Sequence, residues 1–514
     1  MPISARERLE MARALAFDNE KYLSEQAAFI SERAEGAEKL YLEFGGKLLW
    51  DWHAARVLPG YDPNVKIRLL SRLKDKAEVI LCIYAGDIER KRIRGDFGIT
   101  YDASALQIFD QLGEWGVSVA GVVITRYEGQ PAATQFGSLL ERRGVKVFRH
   151  KPTKGYPSDV ECIVSPEGYG SNEYIPTTKP IVVITGPGPG SGKLATALSL
   201  VYADFLAGRK ASYAKFETFP VWNLPLKHPV NIAYEAATVD LADFNCVDPF
   251  HLEATGETSI NYNRDVEVFP VLRRILDKVS GGSVGYRSPT EMGVNRIASG
   301  IIDDEAVREA SRQEVIRRFF RHSCEYALGI AEKHAMQRIQ AIMDELELKP
   351  EDRRVVVRAR EAAASALAEG KGNQGVCVGA ALELPDGVII TGKNSPFLHA
   401  SSAAVINAAK HLAGIPSKIH VLPPVVTASI ATLKRDILGR KSVSLSLDET
   451  LIALSVSAAM NPSAQAAMEA LKSLSGCEMH LTHIPASGDE IGLRRLGLNS
   501  TSDPFFAGNN LFHS

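Results

Sequence analysis

Apolar and polar positions alternate along the first 175 residues in two different rhythms. Four runs have the length and β-branched content of buried strands: AEVILCIYAG (77–86), GVSVAGVVITRY (116–127), VKVFRH (145–150) and DVECIVSP (159–166). Between them, DASALQIFDQLGEWG and AATQFGSLLERRG repeat apolar residues at helical spacing, and a Gly stands near the end of each. Strands that alternate with helices predict a parallel, doubly wound sheet of the Rossmann type.

The later chain shows three further patterns. A second α/β pattern begins at Ile181 and follows a linker rich in Gly, Pro, Ser and Thr (166–180). Helical spacing dominates from Asp303 to about Gly370, and the last part combines strands and helices again. We therefore predict four segments: an N-terminal Rossmann-like domain (1–175), a P-loop-like α/β domain with a polar site segment (176–300), a helical segment (301–372) and a C-terminal α/β domain (373–514).

The C-terminal segment carries its own strand and helix signals. GVCVGAALELPDGVIITG predicts a hairpin that turns at Pro385-Asp386-Gly387, and SSAAVINAAKHLAG predicts a helix that Gly414 ends. We expect SKIHVLPP, a helix around 448–459 and CEMHLTHIP to complete an α/β layer.

The stretch IVVITGPGPGSGKLATALSL (181–200) has the outline of a phosphate-binding loop. A strand, a Gly-rich turn ending in Gly-Lys and a helix direct backbone N–H groups and the positive end of the helix dipole at one spot. The usual first Gly falls on Pro187, and Leu194 replaces the Ser or Thr that ligates Mg²⁺ in the usual motif. The alternative is a tight turn that packs a helix against a sheet. The predicted phosphate or nucleotide ligands are Gly188, Gly190, Ser191, Gly192, Lys193 and Thr196.

A segment dense in both aromatic and ionisable residues follows the loop (213–265). Such a mixture is typical of a site wall, where polar groups converge on a ligand from an apolar background. A salt bridge at the strand end, helix caps and a structural polar network are the alternatives. Predicted catalytic residues are Lys193, Lys215, His228 and Arg264; predicted metal ligands are Thr196, Glu217 and Asp240; predicted substrate ligands are Asn223, Asn231, His251, Asn261, Asn263, Arg264 and Lys393.

Two other patches carry weaker signals. In IITGKNSPFLHASSA (389–403), Lys393 and a helix start form a second potential anion site, with a capped helix as the alternative. Zinc deaminase chemistry is rejected because His399 is followed by Ala and Ser and the chain has no paired cysteines. Near the start, LEFGGKLLWDWHAARVLPG (42–60) predicts a tight turn that faces a ligand or another domain.

Several of these runs carry a family resemblance. GYGSNEYI, GPGPGSGKLAT, YAKFETFPVWNLPLKHPVNIAYEAAT, DPFHLEATGETSINYNRDVEVFPVL and TGKNSPFLHASSA are long and chemically specific. With them the chain resembles, over nearly its whole length, the bacterial domain-of-unknown-function 1846 family (uncharacterised protein family 0371). The resemblance implies a multi-domain α/β protein with a typical PGPGSGK loop, and it implies no reaction.

Composition limits the function classes. The 59 Lys and Arg against 61 Asp and Glu give a net charge of −2, which does not indicate a nucleic-acid or membrane-surface protein. The six cysteines are dispersed without a CxxC pair, and no HExxH motif is present, so we expect reduced thiols and no zinc. The charged, helical N-terminal segment MPISARERLEMARALAFDNEKYL lacks the apolar core of a signal peptide, which predicts a cytoplasmic protein.

The sequence supports three hypotheses about function. The first is an enzyme that uses ATP and Mg²⁺ on a small acidic metabolite, as a ligase or a small-molecule kinase; analogy with synthetases favours the ligase. The second is a nucleotide or metabolite sensor without turnover, which the absence of Ser or Thr after Lys193 favours. In the third, the loop binds a phosphate of the substrate, or serves only as scaffold. A small-molecule substrate and a possible homo-oligomer are expected.

Overall fold

The structure, a computed structural model, describes residues 15–94, 98–282 and 285–508. The chain divides into two compact units, one of residues 15–311 and one that begins at Arg312. Of the predicted N-terminal helix, residues 1–14 lie outside the described part, and the first described helix begins at Asn19. None of the helices described in these ranges combines the length and hydropathy that a bilayer crossing needs.

A parallel six-stranded sheet forms the centre of the first unit. Its order is β6-β5-β2-β7-β1-β8, so β7 lies between β2 and β1. The short pairs β3/β4 and β9/β10 are antiparallel. The strands are β1 Lys39–Phe44, β2 Ala77–Tyr84, β3 Ile93–Arg94, β4 Ile99–Thr100, β5 Val119–Thr125, β6 Val147–Arg149, β7 Ile181–Thr185, β8 Ala211–Phe216, β9 Asn245–Val247 and β10 Ile260–Tyr262.

Helices cover the sheet and its connections. They are α1 Asn19–Glu35, α2 Trp52–Val57, α3 Val65–Arg72, α4 Ala85–Glu89, α5 Tyr101–Glu114, α6 Pro131–Arg142, α7 Val160–Ile163, α8 Lys193–Leu206, α9 Pro229–Ala237, α10 Pro249–Thr255, α11 Asn263–Ser280 and α12 Pro289–Met292. The next helix, α13 Asp304–Ala327, contains the boundary between the two units. Helix α8 packs on the sheet through apolar side chains that share a core with β7, including Leu198 and Val201. All five residues of β7 are buried, and each of its four Ile and Val side chains stabilises the fold by roughly 1.5–3 kcal/mol.

The mixed α/β fold with a parallel sheet is confirmed, but one predicted strand is wrong. The run DVECIVSP contains the short helix α7, whose first turn Asp159 caps by accepting a hydrogen bond from the Cys162 N–H at 3.0 Å. Val160 and Ile163 still enter the core, because a single helical turn buries both. A short apolar run does not distinguish a strand from a helical turn, and here the cap decides.

Strands from the first two predicted segments share one sheet. β1 pairs with β7 and β8, both of which follow the predicted boundary at 175. The division into four domains stays a prediction. Along the chain, the boundary between the two compact units falls between residues 311 and 312.

The second unit contains a four-stranded mixed sheet in the order β12-β11-β13-β14. The predicted hairpin is confirmed, since β11 and β12 pair antiparallel, whereas SKIHVLPP (417–424) forms no strand. Its strands are β11 Gly379–Glu383, β12 Ile389–Lys393, β13 Glu478–Leu481 and β14 Asn499–Ser502. Its helices are α14 Lys333–Glu345, α15 Arg354–Ala368, α16 Ala400–Leu412, α17 Pro424–Thr432, α18 Leu447–Ala458, α19 Pro462–Ala470 and α20 Ser487–Arg495.

Candidate functional site

The Gly-rich loop (186–193) lies at the carboxyl end of β7, between two other strands of the parallel sheet. Open α/β sheets bind ligands at this edge. Gly192 is the N-cap of α8 with φ 88°, and no side chain caps the first turn of the helix. The N–H groups at this helix start are therefore open to an acceptor from outside, which is the arrangement that binds anions.

Neighbouring strands hold the loop in place. The hydroxyl of Thr125, the last residue of β5, donates to the Ser191 carbonyl at 2.8 Å. A Cβ on Gly192 would lie 2.7 Å from Thr125 side-chain atoms, and one on Gly188 would lie 2.6 Å from the Tyr101 ring. Close packing thus requires glycine at both of these positions.

Two predicted phosphate ligands behave differently. The Lys193 ammonium turns back over the loop and donates to the Gly188 carbonyl at 3.3 Å and to the Ser191 hydroxyl at 3.5 Å. Thr196 is fully buried, and its hydroxyl accepts from the Cys82 thiol at 3.5 Å. The structure therefore does not support Thr196 as a phosphate or metal ligand, because its hydroxyl lies in the core and bonds a buried thiol.

A cluster of charged side chains occupies the same edge of the sheet near β1 and β8. We call Glu43, Lys215, Glu217 and Asp265 the Lys215 cluster. The Lys215 ammonium donates to Asp265 at 2.7 and 2.5 Å and lies 3.0 Å from a Glu217 oxygen. Glu43 is the register partner of Lys215 on β1 and accepts a 2.7 Å hydrogen bond from the Tyr213 hydroxyl.

The Lys215 cluster lies close to the Gly-rich loop. Strands β7, β1 and β8 are consecutive in the sheet, so their carboxyl ends span about 10 Å. The Glu217 side chain packs over Gly45, just after β1, where a Cβ would lie 2.5 Å from its Cγ. The Gly-rich loop and Glu217 thus lie at the same edge of the sheet.

Burial and charge shift the pKa values in the cluster. Burial, opposed by Lys215 and reinforced by Asp265, raises the pKa of Glu217 from 4.5 to about 7. Burial alone would lower the pKa of Lys215, but Asp265 and Glu217 outweigh it and hold that pKa above its ordinary value. At neutral pH Lys215 therefore stays charged, and Glu217 is close to its own pKa.

Other predicted site residues stabilise local structure. His228 is buried; its Nδ1 accepts from the Val230 N–H at 3.2 Å and its Nε2 lies 2.9 Å from Asp304. Burial, opposed by the Asp304 hydrogen bond, lowers the pKa of His228. The Asn231 amide bonds both backbone groups of Val221. These polar atoms all have partners within the protein, and the catalytic role of His228 and the substrate role of Asn231 stay predictions.

Four other predicted ligands of the polar segment also bond protein groups. Asn261 accepts from the Tyr262 N–H at 2.9 Å, and Asn263 accepts from the Phe244 N–H at 3.0 Å. His251 contacts the Ser288 hydroxyl at 3.2 Å, and half-exposed Arg264 donates to Asp243 at 2.6 Å. Asn223 is exposed in a loop.

Two further predicted ligands belong to other elements of the fold. Asp240 is exposed in a short 3₁₀ turn, Val239–Leu241. Lys393, in the second unit, bonds Ser365 at 2.8 Å and Glu369 at 2.9 Å. Within residues 15–94, 98–282 and 285–508, no group of three or more His, Cys, Asp or Glu side chains is arranged to hold a metal ion.

Comparison of the sequence with known proteins assigns the chain to a family. Residues 15–347 match the family described as Domain of unknown function DUF1846, N-terminal, and residues 351–512 match its C-terminal counterpart. The chain belongs to the DUF1846 family. A UPF0371 protein of Clostridium botulinum (strain Langeland) is 55% identical over 500 residues, covering 97% of this chain and 99% of that protein. A UPF0371 protein of Clostridioides difficile (strain 630) is also 55% identical, with 97% and 100% covered, and one of Clostridium tetani is 54% identical, with 97% and 99% covered.

Sequence reasoning missed part of the site of this DUF1846 protein. In the sequence, Glu43 lies in the Gly-containing patch 42–60 and Asp265 in the polar segment 213–265, and neither residue is assigned a role. Their signal is an acidic residue at the carboxyl end of an apolar strand and another at a helix start. Arg126 was also missed; it follows β5 directly and contacts the Gly190 carbonyl.

A titration of the DUF1846 protein tests the raised pKa of Glu217. A folded-state pKa above the unfolded value means that the folded state binds the extra proton, so stability falls as pH rises from about 4.5 to about 7. Glu217→Gln removes this loss. We expect the variant to gain about 1 kcal/mol of unfolding free energy relative to wild type between pH 5 and pH 8, measured by urea unfolding. Glu25→Gln, at an exposed position on α1, is the control, and an equal pH response in both variants would contradict the assignment.

Proposed function

We propose that this DUF1846 protein is an enzyme that binds ATP at the Gly-rich loop and acts on a small acidic metabolite. The observation that carries the proposal is the position of the loop at the carboxyl end of a central parallel strand, about two strand spacings from the Lys215 cluster. A ligase, in which ATP phosphorylates a carboxylate that an amine then attacks, and a small-molecule kinase both fit the proposal.

The loop supports the binding part of the proposal. Its glycines bring the backbone close to a ligand, and the uncapped start of α8 attracts negative charge. Lys193 contacts neutral oxygens of the loop, so a phosphate oxygen would replace weak partners with a charged one. Catalysis would come from positioning and from stabilisation of the transferred phosphoryl charge by Lys193.

The Lys215 cluster supports the chemical part. Glu217 has a pKa near the operating pH, which suits a group that accepts a proton from an attacking nucleophile. Lys215 and Asp265 would hold Glu217 in place. Of the three predicted Mg²⁺ ligands we retain only Glu217, and a bound cation there would lower its pKa.

A second candidate function is an enzyme whose loop binds a phosphate of the substrate itself. The burial of Thr196 against Cys82 favours it, because the predicted substitute for the missing Ser or Thr after Lys193 is then not available to Mg²⁺. Binding that needs no Mg²⁺ would distinguish this candidate from the first. A nucleotide sensor without turnover would bind ATP and consume none.

Calorimetric titration tests the proposal. We expect ATP to bind the wild-type protein, more tightly with Mg²⁺, and Lys193→Ala to weaken ATP about 10- to 100-fold, as the loss of one charge-assisted contact does. Lys76→Ala is the matched control: it removes an exposed lysine next to the amino end of β2, away from the loop. ADP, GTP and inorganic phosphate are titrated in parallel.

The outcomes separate the candidates. If neither nucleotide nor phosphate binds wild type, the proposal fails. If ATP binds and Lys193→Ala binds it as tightly as Lys76→Ala does, the loop is not the site. Incubation with ATP and pooled carboxylic acids and amines, followed by measurement of released ADP or AMP, distinguishes turnover from sensing. We also propose a cytoplasmic location and a small-molecule partner; gel filtration with light scattering tests the expected homo-oligomer.

A further inference from the structure

One arginine contacts the Gly-rich loop, and two more lie against the aromatic rings of Tyr84 and Tyr101. Arg126 follows β5, and its guanidinium lies 3.4 Å from the centre of the Tyr84 ring while it donates to the Gly190 carbonyl. Arg90 and Arg92 follow β2 and lie 5.8 Å from the Tyr84 ring and 5.1 Å from the Tyr101 ring. We call Arg90, Arg92 and Arg126 the arginine rim.

The arginine rim carries more positive charge than its acidic partners offset. Arg90 and Arg92 share one buried carboxylate, Asp87, each at 3.4 Å, with 66% and 47% of their side chains exposed. Among the residues that the structure describes, Arg126 donates to a carbonyl and forms no ion pair. Nearby Glu89 accepts from the Ala132 N–H. A multiply charged anion would therefore find guanidinium groups with capacity for further hydrogen bonds.

The backbone of Arg126 adopts an uncommon conformation. Its φ is 50°, in the left-handed region that residues other than glycine rarely adopt. The strained conformation holds its side chain between the Tyr84 ring and the loop. Strain of this kind is concentrated at ligand clamps, where the surrounding structure maintains it.

We propose that the arginine rim extends the loop into a polyphosphate site, so that the ligand class is a molecule with two or more linked phosphates. The first phosphate lies on the loop and Lys193, and the next meets Arg126, which exchanges its Gly190 carbonyl for phosphate oxygens. Arg90 and Arg92 bind the outermost charge. The proposal rests on the proposed function, since it assumes that the loop binds phosphate, and it excludes a monophosphate ester as the preferred ligand.

The test compares orthophosphate, pyrophosphate and ADP by calorimetry on five proteins, one of which is Lys193→Ala. We expect wild type to bind pyrophosphate and ADP at least about 10-fold more tightly than orthophosphate. Arg126→Ala should weaken pyrophosphate about 10- to 100-fold and orthophosphate less than about 3-fold. Arg90→Ala/Arg92→Ala, which leaves the loop contact of Arg126 intact, should weaken pyrophosphate selectively. Arg142→Ala, at an exposed position in the last turn of α6, should change neither.

The possible results distinguish this proposal from the proposed function. If orthophosphate binds wild type and depends on Lys193, but pyrophosphate binds no tighter, the arginine rim is not a phosphate site while the loop is. If Arg126→Ala weakens orthophosphate and pyrophosphate equally, Arg126 only holds the loop, and the proposal is overturned. If none of the three probes binds wild type, both proposals fail.

Discussion

Lys215→Met is expected to lower the free energy of unfolding of the first unit by about 3 kcal/mol at pH 8. The substitution leaves Glu217 and Asp265 without the cation that both contact, and removal of one partner from a largely buried ion pair costs about that much. The deficit should shrink towards pH 5. Without Lys215 the folded-state pKa of Glu217 rises further, so protonation at lower pH relieves the repulsion.

Tryptophan fluorescence during urea unfolding measures this effect selectively. All four tryptophans (50, 52, 115 and 222) belong to the first unit, so their signal does not follow the second. Lys210→Met, at an exposed lysine just before β8, is the control and should change stability by less than about 0.5 kcal/mol. Adding Glu217→Gln to Lys215→Met should restore about 1 kcal/mol. A deficit that grew as pH fell would contradict the charge assignment.

Gly192→Ala should also destabilise the first unit by about 3 kcal/mol and weaken phosphate binding at least about 100-fold. Two costs add: an alanine at φ 88°, worth roughly 1–2 kcal/mol, and a Cβ only 2.7 Å from Thr125. Relief of the contact would displace the loop from the end of β5, and with it the N–H groups that face a ligand.

Gly208→Ala is a matched control for this prediction. Gly208 has φ 72° as well, but a Cβ there would meet no atom within 4 Å. It should therefore cost about 1 kcal/mol from backbone strain alone. Urea unfolding and calorimetry with orthophosphate compare the two variants; equal losses of stability and unchanged binding would show that the contact with Thr125 does not matter.

Much of the sheet could be predicted from local sequence because buried parallel strands are continuous apolar runs. β2, β5 and β7 follow this rule, and each was predicted. β1 was missed because Glu43 interrupts its apolar run. The buried carboxylate accepts a hydrogen bond from the hydroxyl of Tyr213, a partner 170 residues away. A contact of that range leaves no local pattern.

The candidate site, like the sheet, could be predicted only where its sequence signal is local. The loop and the Lys215–Glu217 pair were found because glycine spacing and strand periodicity are local. The amides of Asn231, Asn261 and Asn263 were overestimated as ligands because their backbone partners depend on loop conformations that composition does not specify. The sequence assigns no role to Asp265 because its partner, Lys215, lies fifty residues earlier in the chain.

The interleaved strand order has a consequence for synthesis on the ribosome. β1 is made before every other strand of its sheet, yet its only neighbours there, β7 and β8, are among the last to be made. Until residue 216 has left the ribosome, β1 cannot complete its hydrogen bonds, and a nascent chain must carry the apolar segment LYLEF with both edges unpaired. The sheet of the first unit is therefore completed only after its last two strands have been made, when the strand that bears the Gly-rich loop inserts between β1 and β2.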